Sequence, residues 1–457
     1  MSLVRLAYIL LALIIPLMLD VVTSLNSYEL ISVGLFIYFL LNFIHDIGRT
    51  FNILDIPILL AIFQCLLMPA VVYHYFNNDY IVIALRYDMG VPQETYYGFM
   101  LPAVIAMIIG MKFPLQLQQN SERQFSLYIS RIRTYLAGKG NLGVLLIMIG
   151  VVSGFLQAFM PGELRYVAFL FNKLLFVGIL YTFFSDAKNR KLFLIGGVVV
   201  VLAQSLAQGM FGELVYISAL TFMLVLLGQK LSSGLKTAAT VGGFVVIFLI
   251  QSVKGDYRDV AWFGKGNQGN TEAFFSLILE RITNPSQFFD IYNLFPTVNR
   301  FNQGMIVGKV MVHVPASAPF AEGETIFTTL AASFVPRLLW ADKPISGGQW
   351  NMERFTGFVI EGYSMNVSPL GEAYGNFGVQ GGIIFMVLYG LFFNFAVLMI
   401  LRMTKTYPTL LLWFPVLFLN SVQIETDILM CVNSLIKNSL FIAFCYWAAD
   451  RFLRLKL

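Results

Sequence analysis

The sequence predicts an all-α polytopic membrane protein, and three observations carry that reading. Hydrophobic residues make up 58% of the 457 residues and charged residues only 12%. Mean hydropathy is +0.75. The apolar residues also gather into runs of about 20, the length a helix needs to cross about 30 Å of hydrocarbon. A soluble domain carries about 25% charged residues, so too few charges remain to cover a water-facing surface. Disorder is excluded on the same ground. A formal net charge of +5 is too small to point to nucleic acid.

About twelve runs qualify as spans. In order they are 4–24, 29–45, 53–75, 97–113, 141–160, 167–185, 192–210, 212–229, 237–254, 378–401, 409–425 and 428–448. The first is longer than a signal-peptide core and no small-residue cleavage site follows it, so it reads as a retained span. The seventh and eighth are joined by the tight hinge Gly209-Met-Phe-Gly212. With the N-terminus inside, about seventeen Lys and Arg fall on the cytoplasmic side, against about two (Arg86 and Arg165) in the short outside loops. That bias places both termini in the cytoplasm. The organisation is then 1–254 with spans one to nine, 255–377 as one large extracytoplasmic loop, and 378–457 with the last three spans and a short basic tail.

A connection as long as 255–377 is usually functional or a domain in its own right. Residues 271–282 and 301–313 have mixed helical faces, and 324–340 is apolar enough to lie in the membrane interface. No GxSxG, HExxH, P-loop or GxGxxG after a strand is present. Cys65, Cys431 and Cys445 lie in apolar runs, and His45, His74 and His313 are far apart. A structural zinc or disulfide framework is therefore not expected.

The remaining signals are charged and aromatic residues toward the outer face. Lys254-Gly-Asp-Tyr257-Arg258 closes the ninth span, Arg300 opens RFNQG, Pro336 and Pro344 bracket Arg337, Trp340 and Lys343, and Gly371-Glu372-Ala-Tyr374-Gly-Asn376 leads into the tenth span. Arg grips phosphate through a planar fork of donors and a permanent charge, whereas Tyr and Trp suit sugar faces and the membrane interface. Each has a plainer reading. An Arg at a membrane end also serves as a headgroup anchor, Trp340 reads first as an interface anchor, Glu372 pairs with a loop Arg, and His313 is structural. The loop carries eight basic and eleven acidic residues, so diffuse attraction of an anion is a weak argument and a few arginines must converge. Lys173, Glu213, Gln251, Glu425, Asp427, Asn433 and Lys437 lie in or near the hydrocarbon. There they form either Glu–Lys pairs between helices or a proton path.

The architecture and these strings resemble the O-antigen polymerase (Wzy-type) and exopolysaccharide repeat-unit polymerase family. The local likeness covers about the last half of the chain, and the first half matches only in hydropathy. The resemblance implies a multi-pass glycosyltransferase of the bacterial inner membrane with its active site facing the periplasm. Such an enzyme moves a growing glycan from undecaprenyl diphosphate to the non-reducing end of a lipid-linked repeat unit, without cofactor, metal or nucleotide sugar. Its partners would be the undecaprenyl-diphosphate-linked oligosaccharide, the bilayer, and a chain-length regulator and flippase of the same pathway. In that chemistry Arg258, Arg300 and Arg337 would stabilise the departing diphosphate, and Glu372 would be the general base, with His313 as second choice. Lys254, Tyr257, Trp340, Lys343, Tyr374 and His313 would bind substrate, and 324–340 would shape a lateral opening for the polyprenyl chain. Two alternatives stay open: an O-antigen ligase that transfers glycan to lipid A core, and a polytopic transporter or flippase.

Overall fold

The computed structural model describes residues 3–75, 88–116, 121–208, 211–263, 271–284, 286, 298–335, 339–340, 342–344, 348–359, 365–455 and 457. Among the described residues the regular structure is all helical. Among the described residues ten helices are long and apolar enough to cross a membrane, so the chain is a helical membrane protein. Leu13, Leu17, Ile195, Val199, Ile384 and Leu388 are exposed on these helices. Apolar faces of that extent belong against lipid.

The first crossings are α1 (Leu3–Thr23) and α2 (Ser27–Asp46), the latter opened by an Asn26–Glu29 capping box. The third is composite: α3 (Asp55–Ile62), a π-helical turn (Phe63–Leu67) and α4 (Met68–Tyr75). It is followed by α5 (Gln93–Lys112). Next comes α6 (Glu122–Leu136), which buries Phe125, Tyr128, Ile129, Ile132 and Leu136 and exposes Arg123, Arg131 and Arg133. That split makes it an amphipathic surface helix. The hydropathy runs had left it within a loop because its mean hydropathy is low.

The middle of the chain holds α7 (Gly140–Leu156), α8 (Gly162–Asn172), α9 (Leu174–Phe184), α10 (Arg190–Gln208) and α11 (Gly212–Leu226). The sixth run is thus one span interrupted at Lys173. The eighth run, 212–229, is a helix of only 15 residues, about 22 Å at 1.5 Å per residue. It is short of a full hydrocarbon crossing.

The ninth run ends later than its charges suggested. Helix α12 runs Ser233–Phe263, so Lys254, Tyr257 and Arg258 lie on a continuous helix and the boundary at 254 falls inside it. Next come α13 (Thr271–Thr283), α14 (Gln303–His313), α15 (Glu324–Phe334) and α16 (Gln349–Thr356). Helix α15 stops at Phe334, short of the expected 340. The tenth run begins ten residues early, as α17 (Ser368–Met403), with a break at Gly378 (φ 65, ψ −160). That break releases helical carbonyls. The Gly375 oxygen accepts from the Ala321 amide at 3.0 Å and the Asn376 oxygen from the Glu322 amide at 2.9 Å. The loop before α15 is thereby fastened to the start of α17. Helices α5 and α17 cross where Gly110 meets Gly390, and a Cβ at Gly110 would fall on the Val387 carbonyl.

The eleventh run, 409–425, is not a regular helix. It consists of a 3-10 turn (Pro408–Trp413), α18 (Phe414–Leu417) and an irregular stretch to Asp427, after which α19 (Ile428–Leu453) begins. Nearly all of it is buried, and it runs antiparallel along α19. Thr409 Oγ1 meets the Tyr446 hydroxyl at 2.9 Å, Asn438 Nδ2 donates to the Val416 carbonyl at 2.7 Å, and Cys431 Sγ to the Asn420 carbonyl at 3.5 Å. Irregular backbone at membrane depth requires such internal partners. Hydropathy could not distinguish this stretch from a helix because both are equally apolar.

Candidate functional site

A cavity of about 910 Å³ opens between the third crossing, α11, α12 and residues 298–301. Most of its wall is apolar, including Leu60, Phe63, Met68, Val215, Phe244 and Phe248, and the polar exceptions are Gln64, Tyr216, Gln251, Lys254, Arg300 and Glu425. A pocket of that size and lining suits a ligand with a long apolar part and a few polar groups.

The π-helical turn builds one wall. Such turns insert an extra residue and recur at functional sites. Here the turn's carbonyls are held by hydroxyls: Tyr96 donates to the Cys65 oxygen at 2.8 Å and Tyr97 to the Leu66 oxygen at 2.6 Å. Gln64, 4% exposed, donates through Nε2 to Glu425 Oε2 at 2.8 Å, while the Tyr216 hydroxyl donates to Glu425 Oε1 at 2.9 Å. Each carboxylate oxygen of Glu425 is thus fixed by one donor. Gln64 Oε1 is buried, with no donor among the described residues.

Arg300 lies just before α14 and is exposed. Its Nη1 donates to the Gln251 carbonyl at 2.6 Å. A Cβ on Gly255 would stand 2.5 Å from its Nη2, so a side chain at 255 would shift the guanidinium. Lys254, the neighbour of that glycine on α12, lines the same cavity. The site therefore combines an apolar wall, two cationic side chains and one oriented carboxylate.

Glu372 sits elsewhere, in a sealed cluster where α15, α16, α17 and α19 meet. It is fully buried. It accepts from Thr325 Oγ1 at 2.8 Å, the Ile428 amide at 3.0 Å and Asn351 Nδ2 at 3.4 Å. Asn351 Nδ2 also lies 3.3 Å from Asp427 Oδ2, and Asp427 caps α19 through the Met430 amide at 2.7 Å. Asn376 completes the cluster, donating to Thr325 Oγ1 at 2.7 Å and accepting from the Gly323 amide at 3.1 Å. Two buried carboxyl groups thus share one amide donor. The cluster and the cavity are two residues apart on the irregular stretch, at Asp427 and Glu425. Asn366 ties that stretch down, donating to the Glu425 carbonyl at 3.5 Å and accepting from Gln303 at 2.8 Å.

Of the residues singled out in the sequence, the structure brings Lys254 and Arg300 to the cavity and Glu372 to the sealed cluster. The side chain of Arg258, and Arg337 altogether, lie outside the described residues. Tyr257 is buried, with its hydroxyl donating to the Leu206 carbonyl at 2.8 Å and its ring packed on Phe211 and Phe274. Tyr374 packs edge-on against Phe99 and Phe320. His313 ends α14 against Gly357. Lys343 donates to the Val335 carbonyl at 2.8 Å, and Trp340 is half-buried. None of these five lines the cavity. Sequence reasoning had noted Glu425 and Asp427 only as intramembrane charges and had missed Gln64, Tyr216, Thr325 and Asn351. A lone Gln in an apolar run was the one available signal. Lys173 and Glu213 do pair, at 3.9 Å. Among the described residues, no three His, Cys, Asp or Glu side chains group so as to hold a metal ion.

No curated protein and no solved structure matches the chain. Residues 99–400 match the family described as Domain of unknown function (DUF8712). The matched stretch contains Tyr216, Lys254, Arg300 and Glu372, while Gln64, Glu425 and Asp427 lie outside it. With well over half of its 457 residues matched, the chain belongs to the DUF8712 family.

Proposed function

We propose that the protein is a membrane-embedded glycosyltransferase that uses polyprenyl-diphosphate-linked oligosaccharides, of the repeat-unit polymerase type its late strings resemble. The observation that carries this reading is the joint placement of Lys254, Arg300 and Glu425 on one largely apolar cavity. Apolar walls suit an isoprenoid chain, and fixed cations suit the charge that gathers on a diphosphate as it departs. The oriented carboxylate suits an acceptor hydroxyl.

In this reaction the acceptor hydroxyl oxygen attacks the anomeric carbon of the donor glycan. The bond from that carbon to the diphosphate oxygen breaks, and the diphosphate leaves with the electron pair. Arg300 and Lys254 hold the leaving charge. Glu425 takes the hydroxyl proton. Glu372 does not face the cavity; it anchors the irregular stretch that aims Glu425. The cavity then opens toward the outer, periplasmic face of a bacterial inner membrane, since the Arg-bearing surface helix α6 belongs on the cytoplasmic side. A flippase and a chain-length regulator would be partners in the same pathway.

The test is elongation by purified protein in nanodiscs supplied with undecaprenyl-diphosphate-linked repeat units, read as a ladder on a gel. Wild type should build ladders that Arg300→Ala and Glu425→Gln shorten or abolish. Unchanged ladders in both variants would sink the assignment. A deletion strain that polymerises normally but fails to move lipid-linked units outward would favour a flippase instead. One that accumulates long lipid-linked polymer would favour a ligase.

A further inference from the structure

The end of the bundle where α6 lies holds a separate cavity of about 710 Å³, which shares no lining residue with the first. One wall is a single stripe of α19: Ser439, Ile442, Ala443, Tyr446, Trp447 and Asp450. Steps of three and four residues put these side chains on one helix face. Across from it stand the end of α17 with the turn at Tyr407, and Tyr135 of α6. From Ser439 to Asp450 the stripe runs about 16 Å at 1.5 Å per residue, roughly half the thickness of the hydrocarbon. Ser439, Ala443 and Trp447 are exposed along it, so the cavity is open sideways over the depth of one leaflet.

The lining changes character along that length. Away from Asp450 it is apolar, with Ile400, Leu417 and Ile442, and the Ser439 hydroxyl there is taken up by the Leu435 carbonyl at 2.7 Å. Toward Asp450 it turns aromatic. Tyr407 and Tyr446 meet edge to face with centres 5.6 Å apart, and Trp447 is 55% exposed beside them. Among the described residues Asp450 is the only charged side chain in the lining, and its carboxylate makes no ion pair or hydrogen bond there. Lys139 Nζ stands 3.6 Å from the centre of the Tyr135 ring but is not part of the lining. Arg402, Lys405 and Arg451 adjoin the lining residues in the chain and are exposed. Aromatic rings with one carboxylate attract an ammonium group, and exposed cations next to them suit a phosphate. At a membrane interface one molecule carries both: a phospholipid with an ammonium headgroup. A primary ammonium can donate hydrogen bonds to the carboxylate, whereas choline has no N–H to give.

We propose that this cavity is a binding site for phosphatidylethanolamine of the cytoplasmic leaflet. The ammonium lies at Asp450 between Tyr407 and Trp447, the phosphate faces the exposed cations, and one acyl chain follows the apolar part of the stripe. The leaflet follows from the Lys and Arg bias, and the site does not depend on what the protein catalyses. The lipid bears on the irregular stretch through Tyr446, whose hydroxyl meets Thr409 Oγ1 at 2.9 Å and whose ring packs on Trp413. Occupancy therefore steadies the fold, and binding is readable as stabilisation.

The experiment is thermal unfolding of the purified full-length protein in detergent micelles. Phosphatidylethanolamine, phosphatidylcholine and phosphatidylglycerol of the same acyl composition are titrated in separate arms. Wild type should be stabilised saturably by phosphatidylethanolamine, with an apparent affinity about tenfold better than for either of the other lipids. Asp450→Asn should bring phosphatidylethanolamine down to the level of phosphatidylcholine and leave the unfolding midpoint without lipid unchanged, since Asp450 is exposed. Trp447→Leu keeps an apolar side chain and should weaken phosphatidylethanolamine several-fold. Equal stabilisation by all three lipids would show an apolar groove filled by any lipid and overturns the site. A preference for phosphatidylglycerol, no saturable shift in wild type, or an unchanged affinity in Asp450→Asn overturns it as well.

Discussion

Glu425 and Glu372 are the same residue type, at the same end of the bundle, and their surroundings give them opposite work. Glu425 is half-buried on the wall of a large cavity, held by one donor on each oxygen. Glu372 is sealed, with three donors from three other segments and no opening to the cavity. A carboxylate that must meet a substrate needs an open side, whereas one that ties segments together needs its lone pairs filled by the protein. Burial and partner count separate the two roles, and neither is visible from residue type.

This contrast can be broken by measurement. The largest effect is expected for Glu425→Gln, which removes the proton acceptor but keeps the shape. Its initial elongation rate should fall by about 10²–10⁴, with the thermal unfolding midpoint nearly unchanged. A normal rate would return the base to another residue. Arg300→Ala should cost about 10²–10³ in rate, and Arg300→Lys should recover only part of it because an ammonium lacks the fork. Gel ladders timed at early points would read both.

Glu372→Ala should act on stability instead. It strands the Thr325 hydroxyl, the Ile428 amide and one Asn351 contact, and each unsatisfied buried group costs about 1–3 kcal/mol. Its unfolding midpoint in detergent should drop, while the rate per folded molecule falls far less than in Glu425→Gln. The reverse outcome would place Glu372 in the chemistry. The smallest effect belongs to Tyr257→Phe. Losing the hydrogen bond to Leu206 should cost about 0.5–1.5 kcal/mol, seen as a modest midpoint shift with normal ladders.

Most of the fold was legible in the sequence because transfer of apolar helices into hydrocarbon is a local sum over residues. The ten long helices follow from it within a few residues at most ends. The failures have specific causes. Charges at Lys254, Asp256 and Arg258 suggested an end to α12, but a helix that emerges from the bilayer tolerates charge and continues to Phe263. Glu372 and Asn376 suggested a loop, but the first turns of α17 form there because Thr325, Asn351 and the α19 amide satisfy them. Lys254 and Arg300 were legible as cations near a membrane end. Their sharing of one cavity was not, because Arg300 reaches α12 across 49 residues of chain.

The sequence alone determined that this is a chain of apolar helices in a membrane, with a long, polar, aromatic-rich segment late in its length. Tertiary structure alone decided that the run 409–425 would be broken and which carboxylate would face a cavity. Helix formation and membrane transfer are settled by neighbours in the chain. The irregular stretch holds its shape only through partners far away, such as the contact of Gln64 with Glu425 across 361 residues. No local pattern records a partner at that separation.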